Sequence, residues 1–459
     1  MRRVALLLFL AASLHAARDP RQNIVFILAD DLGYGDIGPF GQKLIGTPNL
    51  DRLAAEGTCF TQYYAGGSVC SPTRSVLMTG QHTGHTRIRG NHGRAGLSRV
   101  PLREEDKTVA EWLRYFGYST AMIGKWGLGE PGTEGTPDRQ GFDRWFGYLN
   151  NDLAEFHFPE KIWRDGREIA LPGNAGGARG QYSHDLMTEE ALAFLDARHR
   201  RPFFLYLAYT VPHSLLEVPE DALAQYRGRF AEPPAGQAGG KNDVPFPRAT
   251  FAAMVGRLDR DVGRILDRIR DLGIDRHTVV FFCSDNGAPA RAGISDFFES
   301  AGGLRGHKGS LFEGGIRAPM IVRWPGQIPA GRRSSYPWAG WDFLPTALAL
   351  AGIDRPQPGV DGLNVLPALR GKESKRPGYL YWEHHQREFS QAVREGRLKA
   401  IRERPGAPVL VFDVVADPGE SRNLAAKEPG FVARAEELFR SARTESDHWP
   451  VPPSNSSAR

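Results

Sequence analysis

Uniformly apolar runs alternate with amphipathic segments along most of this chain, and this alternation restricts the fold more than any other feature. Residues 23–29 (NIVFILA), 202–209 (PFFLYLAY) and 278–283 (TVVFFC) are apolar, as are strands that are buried on both faces of a sheet. Residues 251–269 place apolar side chains at helical spacing between two such runs. We therefore predict an α/β fold over residues 18–355, with a large, mostly parallel sheet flanked by helices.

The pattern changes towards the end of the chain. Residues 356–445 contain short strand-like runs separated by turns, such as GYLYWEH and VLVFDVV, and then one amphipathic helical segment. This order predicts a smaller C-terminal subdomain made of an antiparallel sheet and one helix. The polar and proline-rich end of the chain, residues 446–459, is expected to be disordered.

The N-terminus has the composition of a secretory signal peptide. Two arginines precede an apolar run, and the small residues Ala16 and Ala17 end the segment. We expect residues 1–17 to be this signal peptide and the protein to be secreted or periplasmic. The run is too short to cross a bilayer, and no other segment indicates an integral membrane span.

The overall composition limits the classes of partner. Hydrophobic residues make up 41% and charged residues 24% of the chain, which is typical of a globular protein. The formal net charge of +5 suits an anionic substrate, although scattered surface arginines account for it equally well. No run of lysine and arginine is interleaved with aromatic residues, so we expect no binding of nucleic acid.

The chain has three cysteines, too few for a disulfide framework, and one of them has unusual surroundings. Cys59 and Cys283 stand among apolar residues and are expected to be buried. Cys70 lies in a glycine- and serine-rich stretch, AGGSVCSPTR. Pro72 suits the first turn of a helix, which would place Cys70 at a helix N-terminus that favours an anion, with Arg74 on the same helix face. From this geometry alone, Cys70 could also act as a thiolate nucleophile.

Polar side chains follow four of the predicted strands, at the edge where parallel sheets bind ligands. These residues are Asp30 and Asp31, Lys125 after the short strand-like run STAMIG (residues 119–124), His213, and Asp285 with Asn286. The carboxylates and the amide offer oxygen ligands, which favour Ca²⁺ or Mg²⁺ over Zn²⁺. A hard cation would argue against a thiolate at Cys70, because it gains little from sulfur. His82, His85 and His92 form a rival cluster, but their spacing fits no zinc scheme well, so we expect them to be loop or substrate-lining histidines.

The core Cys70-Ser71-Pro72-Thr73-Arg74, followed by LMTG, resembles the Cys-x-Pro-x-Arg signature of the formylglycine-dependent (type I) sulfatases, an arylsulfatase-like family of the alkaline phosphatase superfamily. Other segments resemble blocks of that family in their usual order, among them NIVFILADDLGYGDIG, GYSTAMIGKWGLG, FFLYLAYTVPH, FFCSDNG and GHKGSLFEGGIRAPMIVRWPG. The resemblance covers nearly the whole chain after residue 17. It implies an alkaline-phosphatase-like fold and a sulfuric ester hydrolase.

The resemblance also implies a role for individual residues. A separate maturation enzyme would oxidise Cys70 to formylglycine, whose hydrate would attack sulfur and later expel sulfate. The resemblance assigns one Ca²⁺ ion to Asp30, Asp31, the converted Cys70, Asp285 and Asn286. It assigns catalysis to Cys70, Arg74, Lys125, His213 and Lys308. Arg74 would support the nucleophile, the two lysines would contact sulfate oxygens, and His213 would bind sulfate and protonate the leaving oxygen.

One position departs from the pattern of the family. The family usually has Gly-Lys-Trp-His-Leu-Gly, and this chain has Gly127 in place of the histidine. That histidine helps to deprotonate the hydrate when sulfate is released. We therefore expect another base to serve, with His82, His85 and His157 as candidates.

Two other functions stay open from the sequence: a formylglycine-dependent hydrolase of phosphonate or phosphate esters, and an inactive protein that binds sulfated glycans. For a sulfatase, we expect a sulfated small molecule or glycan as substrate, with aryl sulfates as test compounds. Specificity is expected from loops over the sheet, such as residues 149–157 and 383–387, the second of which contains His384 and His385.

Overall fold

The computed structural model of the protein describes residues 21–91, 99–237, 243–353, 355, 357–386 and 388–453. The predicted signal peptide and His92 lie outside these residues. Within the described ranges, no helix combines the length and the apolar character needed to cross a lipid bilayer.

Strands and helices alternate along the first three quarters of the chain. The strands are β1 (Asn23–Ala29), β2 (Thr58–Phe60), β3 (Tyr63–Tyr64), β4 (Ser119–Lys125), β5 (Arg144–Tyr148), β6 (Lys161–Arg164), β7 (Arg167–Ala170), β8 (Phe203–Ala208), β9 (Thr278–Ser284), β10 (Met320–Arg323), β11 (Arg332–Ser334), β12 (Trp338–Ala339), β13 (Leu380–His384), β14 (Ser390–Glu395), β15 (Leu398–Arg402) and β16 (Leu410–Asp413). The helices are α1 (Pro48–Ala55), α2 (Cys70–Thr79), α3 (Val109–Tyr115), α4 (Ser183–Arg198), α5 (Glu220–Leu223), α6 (Pro247–Asp271), α7 (Glu313–Ile316), α8 (Phe343–Leu350), α9 (Leu366–Leu369) and α10 (Pro429–Ser441).

The large sheet has the order β11-β2-β10-β9-β1-β8-β4-β5-β6-β7 among the described strands. Its centre, from β9 to β5, is parallel, whereas β10, β6 and β7 are antiparallel to their neighbours. The predicted α/β fold with a mostly parallel sheet is therefore confirmed. The four strands whose ends precede the predicted site residues are direct neighbours, so their carboxyl ends lie side by side.

Alternate side chains of β1 enter two different cores. Val25 and Ile27 pack with α1, α4 and α6 on one face, while Ile24 and Phe26 pack with α2, α3 and α8 on the other. Every residue of this strand is buried, which explains why its sequence is an uninterrupted apolar run.

The starts of α2 and α3 follow local signals in the sequence, and the start of α1 does so only in part. α2 begins at Cys70 as predicted, and α3 begins with a capping box, a local sequence signal formed by Thr108 and Glu111. α1 begins at Pro48, but Thr47 does not cap it with its side chain. The Thr47 hydroxyl instead accepts a hydrogen bond from the Gly38 backbone N–H at 2.9 Å, so a tertiary contact replaces the local one.

The C-terminal subdomain is an antiparallel sheet, β13-β14-β15-β16, covered by α10, as the sequence predicts. Trp382, Ile401 and Phe412 pack against the large domain, and the opposite face of the sheet packs against α10. Its boundary at residues 355–356 stays a prediction.

The expectation of disorder from residue 446 is wrong at Trp449. This side chain is 3% exposed, and its Nε1 donates a hydrogen bond to the Arg87 carbonyl at 2.8 Å. A buried indole fixes the chain at this point, and the overall composition of the tail does not indicate such a contact. Residues 454–459 lie outside the described part.

A buried ion cluster joins the two parts of the chain. Lys399 Nζ, on β15, lies 3.0 Å from Glu313 Oε1 and 3.1 Å from Glu420 Oε1, and all three side chains are inaccessible to solvent. Glu313 is the first residue of α7 in the large domain, and its second oxygen accepts a hydrogen bond from the Tyr64 hydroxyl at 2.8 Å. The C-terminal sheet is thus fixed to the large domain by charge as well as by apolar packing.

We expect Lys399→Met to lower the free energy of unfolding by about 3 kcal/mol, because it removes the cation that lies between two buried carboxylates. Glu420 then has no ion-pair partner among the described residues, and Glu313 keeps only Arg317, at 3.3 Å. The matched control is Lys107→Met, which removes an exposed lysine that pairs with Glu111 at 3.0 Å. That change is expected to cost about 0.5 kcal/mol or less. Urea unfolding of both variants measures the two effects, and equal losses would contradict a structural role for the buried cluster.

Candidate functional site

Three buried carboxylates meet at the carboxyl ends of β1 and β9. Asp30 and Asp31 follow β1 and Asp285 follows β9, and none is more than 2% exposed. The Asp31 backbone N–H donates to Asp285 Oδ1 at 3.1 Å. Asp31 has a φ of 66°, in the left-handed region that residues with side chains adopt rarely and often at functional sites.

Two lysines pair with these carboxylates. Lys125 Nζ, at the end of β4, lies 2.6 Å from Asp30 Oδ2, and Lys308 Nζ lies 2.6 Å from Asp31 Oδ1. Burial alone would raise the pKa of both carboxyl groups, but the neighbouring cations outweigh burial. They hold the pKa of Asp30 well below its usual range and lower that of Asp31 to about 2. Both groups are therefore ionised at neutral pH.

Arg74 links the helix that carries Cys70 to the strand ends. Its guanidinium has no exposure to solvent. Nη1 donates to the Lys125 carbonyl at 2.6 Å, and Nη2 donates to Asp285 Oδ2 at 3.1 Å and lies 3.4 Å from Asp30 Oδ2. Arg74 thus contacts groups at the carboxyl ends of three strands. Its support of the nucleophile stays a prediction.

Cys70 is the first residue of α2 and lies between a carboxylate and a lysine. Its Sγ is 3.6 Å from Asp30 Oδ1 and 3.5 Å from Lys308 Nζ, and the side chain is buried. Burial and the negative charge of Asp30 raise the pKa of the Cys70 thiol to about 12. The thiolate is therefore scarce at neutral pH, which disfavours the thiolate nucleophile that the sequence left open.

His213 lies in the loop after β8, as predicted, and faces the same site. Its Nε2 is 3.5 Å from Asp31 Oδ2, and its Nδ1 is 2.7 Å from the Ser214 carbonyl. Nδ1 therefore carries a proton, and in the neutral ring Nε2 is the acceptor. Burial lowers the pKa of His213 to about 4. One ligand atom from each of His213, Asp30, Asp31 and Cys70 lies within 4.8 Å of the others.

Arg291 is a site residue that sequence reasoning missed. It is 4% exposed, its Nη2 lies 3.9 Å from Asp31 Oδ2, and it donates to the Pro212 carbonyl at 2.7 Å. Its position in the loop after β9 is a weak signal, because that loop has no motif around the arginine. The structure adds Arg291 to the cations that Arg74, Lys125 and Lys308 supply.

The oxygen donors of this site fit a hard divalent cation. Asn286 Nδ2 donates to Asp31 Oδ1 at 2.8 Å and to the Gly287 carbonyl at 3.0 Å, while Asn286 Oδ1 is buried without a partner among the described residues. A buried amide oxygen is rarely left without a hydrogen bond or a ligand. Burial and Asp30 raise the pKa of Asp285 to about 7, which shows a repulsion between carboxylates that a cation would relieve. Carboxylate and amide oxygens are the ligands that Ca²⁺ and Mg²⁺ prefer.

His82 and His85 belong to a different cluster, together with Asp361. His85 Nδ1 is 2.9 Å from Asp361 Oδ1, and the His82 backbone N–H donates to Asp361 Oδ2 at 2.9 Å. His82 Nδ1 accepts a hydrogen bond from the Gly84 N–H at 3.2 Å, which leaves the ring proton on Nε2 and disfavours metal binding there. These contacts stabilise the loop after α2, in agreement with the expectation of loop histidines.

His157 is buried and uses both ring nitrogens. Nε2 is 3.2 Å from the His213 carbonyl, and Nδ1 is 3.3 Å from the Thr210 hydroxyl. Burial lowers its pKa to about 3. In the described part of the chain, neither His157 nor the two histidines of the other cluster contacts Cys70. The idea that one of them replaces the missing base therefore gains no support.

Gly127 is packed against Asn151, a second residue that sequence reasoning missed. Gly127 has a φ of 76°, and a Cβ there would lie 2.8 Å from Asn151 Oδ1 and 3.3 Å from Ser71 Oγ. Asn151 Nδ2 donates to Ser71 Oγ at 2.7 Å. Asn151 therefore lies where a side chain at position 127 would go, and it holds the residue next to Cys70. Because an amide is not a base at neutral pH, Asn151 can orient neighbouring groups but cannot replace a histidine.

Comparison with known proteins identifies the family. Residues 22–353 match the family model described as Sulfatase. The chain belongs to the sulfatase family. Residues 307–440 of this sulfatase also match the model described as N-sulphoglucosamine sulphohydrolase, C-terminal. Membership makes it a sulfuric ester hydrolase, as its motifs imply.

Relatives align with this sulfatase over most of their length. It is 32% identical to N-acetylgalactosamine-6-sulfatase of Mus musculus, over 90% of this chain and 84% of the relative. It is 35% identical to arylsulfatase A of Homo sapiens, over 92% of this chain and 86% of the relative. Among solved structures, Ps i-CgsB in complex with k-i-k-neocarrahexaose is 28% identical, with a TM-score of 0.78, and the alignment covers 96% of this chain and 95% of that one. The predicted alkaline-phosphatase-like fold is confirmed.

We expect Gly127→Ala to destabilise the protein by more than backbone strain alone. A left-handed backbone costs an alanine about 1 kcal/mol, and the contact with Asn151 adds to that loss. Gly132→Ala is the control, because Gly132 has a similar φ of 83° and nothing within 4 Å of its added Cβ. Chemical denaturation compares the two variants, and equal losses would contradict the close packing of Asn151.

Proposed function

We propose that this sulfatase hydrolyses sulfate esters of carbohydrates, with Cys70 converted to formylglycine as the nucleophile and one Ca²⁺ ion beside it. The position of Cys70 carries the proposal. Its Sγ lies at the N-terminus of α2, 3.6 Å from a carboxylate oxygen of Asp30 and 3.5 Å from the amine of Lys308. A group at this position can share a cation with Asp30 and can receive an anion that Lys308 binds.

The ion would be held by Asp30, Asp31, Asp285 and Asn286, together with the converted residue 70. When bound, the cation and the hydrated aldehyde supply a polarised oxygen nucleophile. Arg74 keeps Asp285 and Asp30 in place through its direct contacts. Asn286 orients its free amide oxygen through the bond that its Nδ2 donates to Asp31.

The charge around the site supports an anionic substrate. The carboxylates are Asp30, Asp31 and Asp285, and the cationic side chains near them are Arg74, Lys125, Arg291 and Lys308. A divalent cation would make this site strongly positive, which favours a sulfate group and the charge that grows on it in the transition state. Lys125 and Lys308 are the proposed contacts to the sulfate oxygens.

His213 is the proposed proton donor to the leaving oxygen. Its Nδ1–H bonds to the Ser214 carbonyl, which fixes the ring with Nε2 towards the site. Burial favours the neutral ring, whereas a bound sulfate beside Nε2 would favour the protonated one. The proton is then available where negative charge develops on the alcohol oxygen.

The carbohydrate substrate is proposed from the relatives. One of them is named N-acetylgalactosamine-6-sulfatase, and one structural neighbour holds k-i-k-neocarrahexaose. Export through residues 1–17 and oxidation of Cys70 by a maturation enzyme are parts of the same proposal.

After coexpression with a formylglycine-generating enzyme, we expect the peptide that contains Cys70 to lose the mass difference between a CH₂SH and a CHO group. The converted protein is expected to hydrolyse an aryl sulfate, because the nucleophile is then complete. Cys70→Ala is expected to remove this turnover, whereas Cys59→Ala, at a buried cysteine outside the site, is expected to keep it. Mass spectrometry and a colorimetric assay measure the two results.

An aryl phosphonate tested in parallel separates this proposal from the phosphonate alternative. Faster turnover of the phosphonate than of the sulfate would overturn it. Complete conversion of Cys70 without any turnover would favour the inactive glycan-binding alternative.

We expect calorimetric titration with CaCl₂ to show one tight site per chain. Asn286→Ala removes a neutral oxygen ligand and is expected to weaken binding by roughly tenfold or more. Asn364→Ala, on the exposed surface, serves as the control. If Asn286→Ala binds Ca²⁺ as tightly as the wild type does, this ligand set is contradicted. Parallel titration with MgCl₂ determines which ion is preferred.

A further inference from the structure

A cleft of about 630 Å³ opens beside the proposed nucleophile, and both parts of the chain line it. Lys308 lies at its inner end, with its Nζ 3.5 Å from Cys70 Sγ. The large domain contributes residues 307–312 among others, and the C-terminal subdomain contributes His384, Gln386, Glu388, Ser390, Ile401 and Glu403. A sulfate group that Lys308 contacts would leave this cleft open to the alcohol part of the ester.

The volume is larger than one small anion needs. It falls within the range of about 300–1,000 Å³ that is typical of pockets for drug-sized ligands. The cleft therefore has room for a saccharide that continues beyond the sulfated ring.

The walls combine apolar surface with hydrogen-bonding groups. Val69 and Ile401 offer apolar contacts, and His384 and Gln386 offer donors and acceptors. His384 Nδ1 is 3.0 Å from the Ser68 hydroxyl, which fixes its ring. Burial lowers the pKa of His384 to about 4, so the ring is neutral at neutral pH. Such a surface suits the C–H faces and hydroxyl groups of a sugar ring.

The two parts of the chain bring opposite charges to the cleft. Lys308 is cationic at the inner end, whereas Glu388 and Glu403 are exposed on the side of the C-terminal sheet. Neither carboxylate forms an ion pair with a residue that the structure describes. A second sulfate on the bound saccharide would meet these two carboxylates, and like charges close together are unfavourable.

We infer that the cleft selects a saccharide with one sulfate group, and that Glu388 and Glu403 act as specificity-determining residues by disfavouring a second sulfate. This inference rests on the proposed function for the position of the reacting sulfate. The large domain then recognises the sulfate group that reacts. The C-terminal sheet selects against substrates that carry a second sulfate group.

The test is a binding measurement on a chain that cannot turn over substrate. In a Cys70→Ala background, calorimetry compares a monosulfated disaccharide with its disulfated counterpart. We expect tighter binding of the monosulfated compound. Adding Glu388→Gln and Glu403→Gln is expected to raise the relative affinity for the disulfated compound by about fivefold, because glutamine keeps the hydrogen bonds and removes the charge. The preference is expected to weaken at high salt as well.

Glu104→Gln is the matched control, because Glu104 is exposed and does not line the cleft. Tighter binding of the disulfated compound by the parent protein, or an affinity ratio that the double variant leaves unchanged, would overturn the inference. The aryl sulfate assay with converted enzyme tests the proposed function separately. If the converted enzyme shows no aryl sulfate turnover but the double variant shifts the affinity ratio, the proposed hydrolysis is rejected. The selection against a second sulfate group is then retained.

Discussion

Arg74 places a charged guanidinium where solvent does not reach, and the rest of the site is arranged around it. It donates to the Lys125 carbonyl at 2.6 Å and to Asp285 at 3.1 Å. A buried charge without partners costs several kcal/mol, so the native positions of α2, β4 and β9 depend on one another. The distance between Cys70 and Asp30 follows from that arrangement, because α2 begins at Cys70 and Arg74 lies one turn further along.

The fold and most of the site could be predicted because their signals are local. Apolar runs identify the parallel strands, and the residues after each run, such as Asp30 and Lys125, meet at one edge of the sheet. Asn151 and Trp449 carry no such signal. Asn151 bonds to a residue 80 positions away, and Trp449 to one 362 positions away. Contacts between residues so far apart in the sequence depend on how whole helices and strands pack. No local sequence pattern indicates that packing.

The departure from the family pattern at Gly127 can be interpreted only together with the residues that pack against it. In the sequence it is a missing histidine. In the structure it is a position that Asn151 covers, with the amide nitrogen bonded to Ser71 beside the proposed nucleophile. Placing a histidine there would require a second change at position 151. The space that a side chain at position 127 would need is taken by Asn151, whose amide supports the start of α2.

The ion cluster of Lys399, Glu313 and Glu420 has a consequence for modularity. It attaches β15 to α7, which begins five residues after Lys308. A sheet borrowed from another sulfatase would bring its own residue at position 399, while the acceptor would keep Glu313. Where that residue is not a lysine, exchanging only the C-terminal subdomain would remove the Lys399–Glu313 ion pair and leave Glu313 with Arg317 alone. In this chain, α7 and the C-terminal sheet are therefore best exchanged as one unit.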